Sequence, residues 1–273
     1  LDVGVDGWLV LRREKCERRG VQPRDEPKVR EVSQSSPFYL ADSEPAAMRD
    51  IHSHILPGVD DGARDMDESL TMLEAAKRAG VTSIICTPHC RDPYFDFDGM
   101  WDAFHDLVAH ADGFPLRMGF EVNWNKLMDL GFDEWAPRLS ISGPSFAGRG
   151  QATFLLELST GASHTQYGAY KQTVFELQGM GFDVVIAHPE RYIAIQHDIS
   201  LAQEFVDMGC RLQASADFIS GGRLGHEKKP AKAMLAQRMY RYIASDAHRP
   251  EHYDMLARAR RECPIPGAHA SSI

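Results

Sequence analysis

From Met48 onward, short apolar runs alternate with segments whose apolar residues recur every three or four positions. A continuous apolar run is typical of a strand buried on both faces, and the longer period indicates an amphipathic helix. The pattern predicts a strand before His52 and further strands at residues 81–86, 116–120, 153–158, 184–187, 211–214 and 242–244. It predicts helices at residues 67–80, 100–111, 167–180, 201–208, 231–238 and 253–261, with Asp67 as N-cap of the first.

Strands and helices that alternate in this way build parallel sheets, because right-handed crossovers return the chain to the same end of the sheet. Roughly seven βα units fit the chain, which favours a closed or nearly closed parallel barrel. We therefore expect an α/β fold, a single-domain distorted barrel over residues 48–263. In such a barrel the carboxyl ends of the strands converge on one face, so residues far apart in sequence can meet.

The segment before Met48 has a different texture. Charged side chains of both signs mix with prolines there, and neither a helical nor a strand period is sustained. We expect residues 1–47 to be a disordered extension, or a segment that precedes the natural start of the protein. We expect residues 264–273 to form a tail after the closing helix.

The composition mainly excludes classes of protein. A net charge of -9 and 43% hydrophobic residues describe an ordinary globular chain without the basic character of nucleic-acid-binding proteins. The apolar runs are too short for membrane insertion. The cysteines form no CxxC pair, so neither a disulfide framework nor a thiolate zinc site is expected, and a reducing cytoplasm is the favoured location.

Histidines and carboxylates cluster at the predicted strand ends. His52 and His54 lie two positions apart, Asp61 follows in the next loop, and Asp246 and His248 repeat the spacing after the last strand. Side chains at positions i and i+2 of a strand project from the same face, so His52 and His54 can bind one ion, and Asp246 and His248 repeat this geometry. Imidazole and carboxylate hold the metal ions of hydrolytic enzymes, so this pattern predicts a multinuclear metal site.

Two further histidines and two glutamates extend this set. His89 follows a strand that a proline ends, and His188 follows another apolar run. Glu121 and Glu157 each close an apolar run. Burying a lone carboxylate is costly, so each glutamate needs a cation, which either a metal ion or a buried arginine would supply.

Arg191 adds a positive charge close to His188 in sequence. A guanidinium can donate to two phosphoryl oxygens at once, so Arg191 is the candidate for gripping a phosphate. A surface ion pair between Glu190 and Arg191 is the alternative. The chemistry of cysteine-dependent tyrosine phosphatases is rejected, because Cys86 and Arg91 have neither the spacing nor the glycines of their phosphate-binding loop.

These residues stand in motifs that read, in order, Asp-Ile-His-Ser-His, Val-Asp-Asp-Gly, Thr-Pro-His, Gly-x-Glu, Leu-Glu, Ile-Ala-His-Pro-Glu-Arg-Tyr and Ile-Ala-Ser-Asp-Ala-His. The set resembles the polymerase and histidinol phosphatase (PHP) superfamily. Within it, the chain is most similar to the bacterial capsule and exopolysaccharide tyrosine-protein phosphatases. The resemblance implies a distorted (β/α)7 PHP-type barrel and a metal-dependent protein-tyrosine phosphatase. It also implies three divalent ions, with Mn²⁺ ahead of iron or zinc.

The resemblance implies three ligand groups, of which the first and third share Glu121 as a bridge: His52, His54, Glu121 and Asp246; Asp61, His89 and His248; and Glu121, Glu157 and His188. Arg191 would grip the phosphate, and His188 could assist the leaving group. After Asp-Ala-His these phosphatases usually continue with an asparagine and, later, an arginine, whereas this chain continues with Arg249 and Pro250. Either Arg249 substitutes for that substrate contact or the grip on the substrate differs.

The partner that the resemblance implies is a phosphotyrosine protein, namely the C-terminal tail of an autophosphorylating bacterial tyrosine kinase that governs polysaccharide export. Two alternatives stay open. One is a PHP phosphatase for a small phosphomonoester such as histidinol phosphate. The other is a catalytically silent, metal-stabilised module that binds a tyrosine-rich tail.

Overall fold

The computed structural model describes residues 48–141 and 152–265. The expectation for residues 1–47 lies outside these ranges, as does most of the expected tail. The strands, named β1 to β9 in chain order, are Met48–Ser53, Val81–Cys86, His89–Cys90, Leu116–Met118, Glu121–Asn123, Thr153–Glu157, Asp183–Ala187, Arg211–Ser215 and Tyr240–Ala244.

The α-helices that the structure describes, named α1 to α9 in chain order, are Met66–Arg78, Phe97–His110, Trp124–Leu130, Phe132–Leu139, Gln166–Gly179, Ile193–His197, Ser200–Asp207, Lys228–Ala236 and His252–Glu262. Short 3₁₀ helices follow β7 and β8, at Pro189–Arg191 and Ala216–Ser220. Each predicted strand and helix coincides with one of these elements. The structure adds β3, α3, α4 and α6, which the sequence pattern did not predict. None of the described helices combines the length and the hydropathy that a membrane crossing requires.

Helix α1 is capped differently from the prediction. Asp65, and not Asp67, is the N-cap, because its backbone is extended and its side chain accepts a hydrogen bond from the backbone N of Glu68 (2.9 Å). Asp67 lies in the first turn. Its charge is favourable there because the helix N-terminus carries a partial positive charge.

The strand predicted at residues 116–120 is interrupted. Strand β4 ends at Met118, and Glu121 begins β5. A Cβ on Gly119 would lie 2.8 Å from Cγ1 of Ile141. Only glycine therefore fits at position 119, where the backbone approaches the Ile141 side chain. Glu121, which was expected to close a strand, therefore begins one.

The described strands form two sheets with parallel pairing, ordered β1-β2-β4 and β3-β5-β6-β7-β8-β9. The chain runs from β2 into β3 and from β4 into β5. Backbone hydrogen bonds connect the two runs, from Gly119 N to Cys86 O (2.9 Å) and from Glu121 N to Pro88 O (3.1 Å). The second sheet therefore continues from the first where β2 and β4 are interrupted. The predicted α/β architecture with parallel strands is confirmed.

The first and last strands meet at their carboxyl ends. Ser53 pairs with Ala247 in a parallel bridge, and the backbone N of His54 donates to Ala247 O (2.9 Å). The backbone N of Asp246 donates in turn to His52 O (2.9 Å). Motifs from opposite ends of the domain are thereby held side by side.

Two apolar clusters support this arrangement. The larger one packs the helices against the strands. The smaller one joins strands of both sheets, through Ile51, Ile85, Ile141, Leu155, Val185, Ala187 and Ala244. Because side chains alternate along a strand, Glu157 points to the same side as Leu155 and lies above this cluster at the carboxyl end of β6.

Candidate metal centre

The nine predicted metal ligands come together in four overlapping groups, in each of which the ligand atoms lie within 4.8 Å of one another. The groups are His54, Asp61, His89 and His248; His52, Glu121 and His188; His52, His54 and Asp246; and His89, Glu121 and Glu157. All of these residues are buried except Asp61, which is half-buried. The resemblance grouped Glu157 with His188, whereas the structure groups it with His89. Their roles as ligands stay predictions.

Glu121 lies at the middle of the centre. Its Oε1 is 2.6 Å from His188 Nε2 and 3.5 Å from His52 Nε2. Its Oε2 is 2.6 Å from His89 Nδ1 and 3.4 Å from His54 Nε2. A carboxylate surrounded by imidazoles on both oxygens is placed to bridge neighbouring ions.

Asp246 and Asp61 flank the same histidines from two sides. Asp246 Oδ1 lies 3.4 Å from His52 Nε2 and 3.2 Å from His54 Nε2. Asp61 Oδ1 lies 3.1 Å from His89 Nε2 and 3.2 Å from the Nε2 of His248. The two motifs with i, i+2 spacing therefore face each other, as expected from the convergence of strand ends in a parallel fold.

Several buried polar atoms of this centre have no hydrogen-bond partner. They are Asp61 Oδ1, His89 Nδ1, Glu121 Oε2, His188 Nδ1, Asp246 Oδ1 and His248 Nε2. Buried polar groups are nearly always bonded, so such a concentration needs an explanation. Even the 2.6 Å approach of His89 to Glu121 lacks the alignment of a hydrogen bond. Unused lone pairs of nitrogen and oxygen fit divalent manganese, iron or zinc ions.

Two buried carboxyls of the centre, Asp246 and Glu121, have lowered pKa values. Burial by itself would raise the pKa of Asp246, but Arg191 and His52 hold that pKa well below its usual value. Burial likewise opposes ionisation of Glu121, yet His52 and His89 keep the pKa of this carboxyl well below normal. Conversely, although burial disfavours its charged form, His54 has a pKa well above the usual value because of Asp60. The protons on such imidazoles occupy the sites where metal ions would bind.

Two residues outside the predicted ligand set orient the histidines. Asp60 Oδ2 lies 2.8 Å from His54 Nδ1 and accepts a hydrogen bond from the backbone N of His89 (3.0 Å). Gln213 Oε1 lies 2.9 Å from His52 Nδ1. Partners of this kind fix the ring of a ligating histidine. Neither Asp60 nor Gln213 was among the site residues predicted from the sequence, which named the neighbouring Asp61 instead.

Arg191 is buried, and its guanidinium lies between two carboxylates. Nη1 is 2.5 Å from Asp246 Oδ2, and Nη2 lies 3.0 Å from both Asp217 Oδ2 and Ser215 Oγ. The alternative of a surface pair with Glu190 is wrong. Glu190 is itself buried and accepts from Ser215 N (2.6 Å) and the Tyr240 hydroxyl instead.

Two other arginines lie at the rim. Arg249 donates to the backbone carbonyls of Gly62 (2.6 Å) and Asp61 (3.3 Å), so its guanidinium contacts the loop that carries Asp61. Its role in substrate binding stays a prediction. Arg91 was considered in the sequence only to reject a cysteine-dependent mechanism, yet its Nη2 donates to His89 Nε2 (2.8 Å).

Two candidate ligands have backbone conformations that L-residues rarely adopt. His188 has φ 27° directly after β7, and Asp246 has φ 48° shortly after β9. Such conformations cost about 1–3 kcal/mol each and occur often at functional sites. Here they turn the two side chains into the centre at the strand ends.

The chain matches a known family over most of its length. The family model for capsular polysaccharide synthesis proteins CpsB/CapC matches residues 48–125 and 142–259. The tyrosine-protein phosphatase YwqE of Bacillus subtilis is 30% identical over 210 residues, covering 74% of this chain and 77% of YwqE. The tyrosine-protein phosphatase CpsB of Streptococcus pneumoniae is 29% identical over 236 residues, covering 77% of this chain and 90% of CpsB.

A solved structure agrees with these relatives. It belongs to the crystal structures of YwqE from Bacillus subtilis and CpsB from Streptococcus pneumoniae, which are described as metal-dependent tyrosine phosphatases. The match has a TM-score of 0.65 and 25% sequence identity, and it covers 81% of this chain and 89% of that structure. The resemblance predicted from the motifs is confirmed. The chain belongs to the CpsB/CapC family of capsular polysaccharide synthesis proteins.

Proposed function

We propose that this chain is a metal-dependent protein-tyrosine phosphatase that acts on the C-terminal tail of a bacterial tyrosine kinase of capsule or exopolysaccharide synthesis, in the cytoplasm. The convergence of nine histidine and carboxylate side chains on one buried centre carries the proposal. The names of the relatives support the choice of phosphotyrosine over a small phosphomonoester. The free cysteines among the described residues are compatible with a reducing compartment.

We propose that three divalent ions occupy the centre, with Mn²⁺ ahead of iron or zinc, and that the nine predicted residues hold them. Bound ions of this kind supply an activated nucleophile and neutralise phosphoryl charge. The residues fit such ions because the unpartnered lone pairs belong to imidazoles and carboxylates. Glu121 would be shared between ions, since both of its oxygens face imidazoles.

Arg191 would orient the phosphoryl group. Its contacts with Asp217, Ser215 and Asp246 hold the guanidinium in one position, so little freedom is lost when an anion binds. Its Nε has no partner and remains able to donate a hydrogen bond. A donor fixed in advance stabilises developing charge without reorganisation.

His188 is the candidate to hold a proton for the departing oxygen. With one ring nitrogen of His188 on an ion, only the other nitrogen could hold this proton. Nε2 lies 2.6 Å from Glu121 Oε1, and Nδ1 has no hydrogen-bond partner. The phenolate of phosphotyrosine is a fairly good leaving group. A strong general acid is therefore not essential to the proposed reaction.

Phosphate release by metal-reconstituted protein tests the proposal. The protein is stripped with a chelator, reloaded with Mn²⁺, and assayed on a phosphotyrosine peptide and on histidinol phosphate. We expect release from the peptide, abolished by His89→Ala and retained by His105→Ala, a matched change at an exposed histidine of α2. Faster release from histidinol phosphate would favour the alternative of a small phosphomonoester substrate. No release from either substrate would contradict both enzymatic functions.

A further inference from the structure

Arg91 lies where the metal centre meets solvent. Its Nη2 is 2.8 Å from His89 Nε2 and 3.8 Å from Asp61 Oδ2, and its Nη1 is 3.5 Å from Glu157 Oε1. The side chain is 31% exposed, whereas that of Arg191 is 10% exposed. Arg91 is therefore a cation that solvent can reach at the edge of the centre.

The partners of Arg91 differ in kind from those of Arg191. Two acids, Asp217 and Asp246, hold Arg191, and only the second is a predicted metal ligand. The described polar side chains that contact the Arg91 guanidinium are all predicted ligands, namely Asp61, His89 and Glu157. Divalent ions bound by these ligands would use the same lone pairs and repel the guanidinium.

Aromatic packing keeps Arg91 close to the centre independently of these contacts. The guanidinium carbon lies 5.9 Å from the centroid of the Tyr94 ring, within the range of a cation–π contact. The Tyr94 ring faces that of His89, with centroids 6.0 Å apart and planes tilted by 22°. Once its ligand contacts are lost, the guanidinium would remain beside the ions with its donors unused.

A phosphate monoester needs such a cation. The chain carries a net charge of -9, and the centre is rich in carboxylates, so a dianionic substrate depends on local positive charge. Two carboxylates already compensate the charge of Arg191, and carbonyls of the Asp61 loop already accept from Arg249. Arg91 is the half-exposed guanidinium whose contacts the bound ions would release.

We propose that Arg91 is a substrate-binding residue that grips the phosphoryl oxygens of tyrosine phosphate when the centre is loaded with metal. The inference rests on the proposed phosphatase function and adds to it a residue that recognises the substrate. Tyr94 acts as a positioning residue that holds the guanidinium at the edge of the centre.

Binding of inorganic phosphate to the Mn²⁺-loaded protein tests this role directly. Calorimetric titration should show affinity weakened about 10- to 100-fold in Arg91→Ala, as expected for the loss of charge-assisted hydrogen bonds. Arg91→Lys should bind with intermediate affinity because it keeps the charge but loses the fork. The metal content per chain, measured by elemental analysis, should equal that of the wild type in both variants.

Arg138→Ala is the matched control, since this arginine is exposed on α4 and pairs with Glu134 (3.3 Å). It should bind phosphate as the wild type does. Unchanged phosphate affinity in Arg91→Ala would overturn the proposal. So would a loss of affinity that only follows a loss of metal, since Arg91 would then merely orient His89 and Asp61.

Wild-type hydrolysis of a phosphotyrosine peptide separates this inference from the proposed function. If the wild type hydrolyses the peptide and Arg91→Ala still binds phosphate normally, the role of Arg91 fails and the function stands. If the loaded wild type binds phosphate, with loss in Arg91→Ala, but hydrolyses no peptide, the anion site stands and the phosphatase function fails. A loaded wild type that binds no phosphate would overturn the role of Arg91.

Discussion

The two ends of the metal centre differ in how their charges are compensated. At the closed end, formed by Arg191, Asp217 and Asp246, the arginine and the aspartate of the 2.5 Å contact are 10% and 1% exposed. At the open end, formed by Asp61, His89 and Arg91, the arginine and the aspartate are 31% and 38% exposed.

This difference assigns different tasks to two arginines. A buried ion pair with good geometry holds its members in fixed positions, so the closed end keeps the Arg191 guanidinium in one place before substrate arrives. A half-exposed pair is held weakly, so the open end can exchange partners when ions and substrate arrive. The existing partners of each arginine near a metal site therefore indicate its substrate contacts better than the number of arginines does.

The largest effect is expected where the two ends join. Glu121→Gln removes the charge of the residue that contacts both His89 of the open end and His52, which lies 3.4 Å from Asp246 of the closed end. We expect a fall in metal content and a fall of about 1000-fold in peptide hydrolysis, because a buried charged ligand is replaced by a neutral amide. Elemental analysis and phosphate release measure the two effects. Glu134→Gln, at an exposed glutamate, is the control, and full metal content in Glu121→Gln would refute the bridging role.

At the closed end, Arg191→Ala leaves Asp246 buried without its cation. The chelated variant should lose about 3–5 kcal/mol in the free energy of unfolding, measured with urea, and Mn²⁺ should restore part of the loss. Arg91→Ala should lose less than about 1 kcal/mol under the same conditions. Equal losses of unfolding free energy in Arg191→Ala and Arg91→Ala would contradict the proposed difference between the two ends.

Asp60→Asn tests how the open end is positioned. The amide keeps an acceptor for the backbone N of His89 but weakens the hold on His54. Metal affinity, measured by competition with a chelator, should fall about 10- to 100-fold. Asp67→Asn on α1 should leave it unchanged, and an unaltered affinity in Asp60→Asn would show that this carboxylate does not orient the ligand.

The smallest effect is expected for Arg249→Ala. Its hydrogen bonds to the Asp61 and Gly62 carbonyls should contribute about 1 kcal/mol to stability, and phosphate affinity should stay close to that of the wild type. A fall in phosphate affinity as large as that expected for Arg91→Ala would instead return the substrate contact to Arg249, as the sequence suggested.

Most of the centre was predictable because its signals are local. Apolar runs mark buried strands, and i, i+2 spacing places His52 with His54 on one face. Partners from distant segments gave no such signal. Gln213 lies 161 positions from His52, and the acids that hold Arg191 come from other strand ends and not from its neighbour Glu190.

The errors in the predicted fold also arise from features that local sequence patterns do not show. Asp65 and Asp67 have the same side chain, and only the extended backbone of Asp65 decides which one caps α1. The break between β4 and β5 depends on the close approach of Gly119 to Ile141, a contact between segments far apart in sequence. The short helices α3 and α6 cover too few turns to show a period, and α4 contains Pro137, which is unfavourable inside a helix.

Anomalous scattering at the manganese absorption edge tests the central claim most directly. Crystals of the Mn²⁺-loaded protein should show difference peaks within coordination distance of the nine predicted ligands, with Glu121 contacting more than one peak. Peaks elsewhere in the molecule, or none at this centre, would contradict the account.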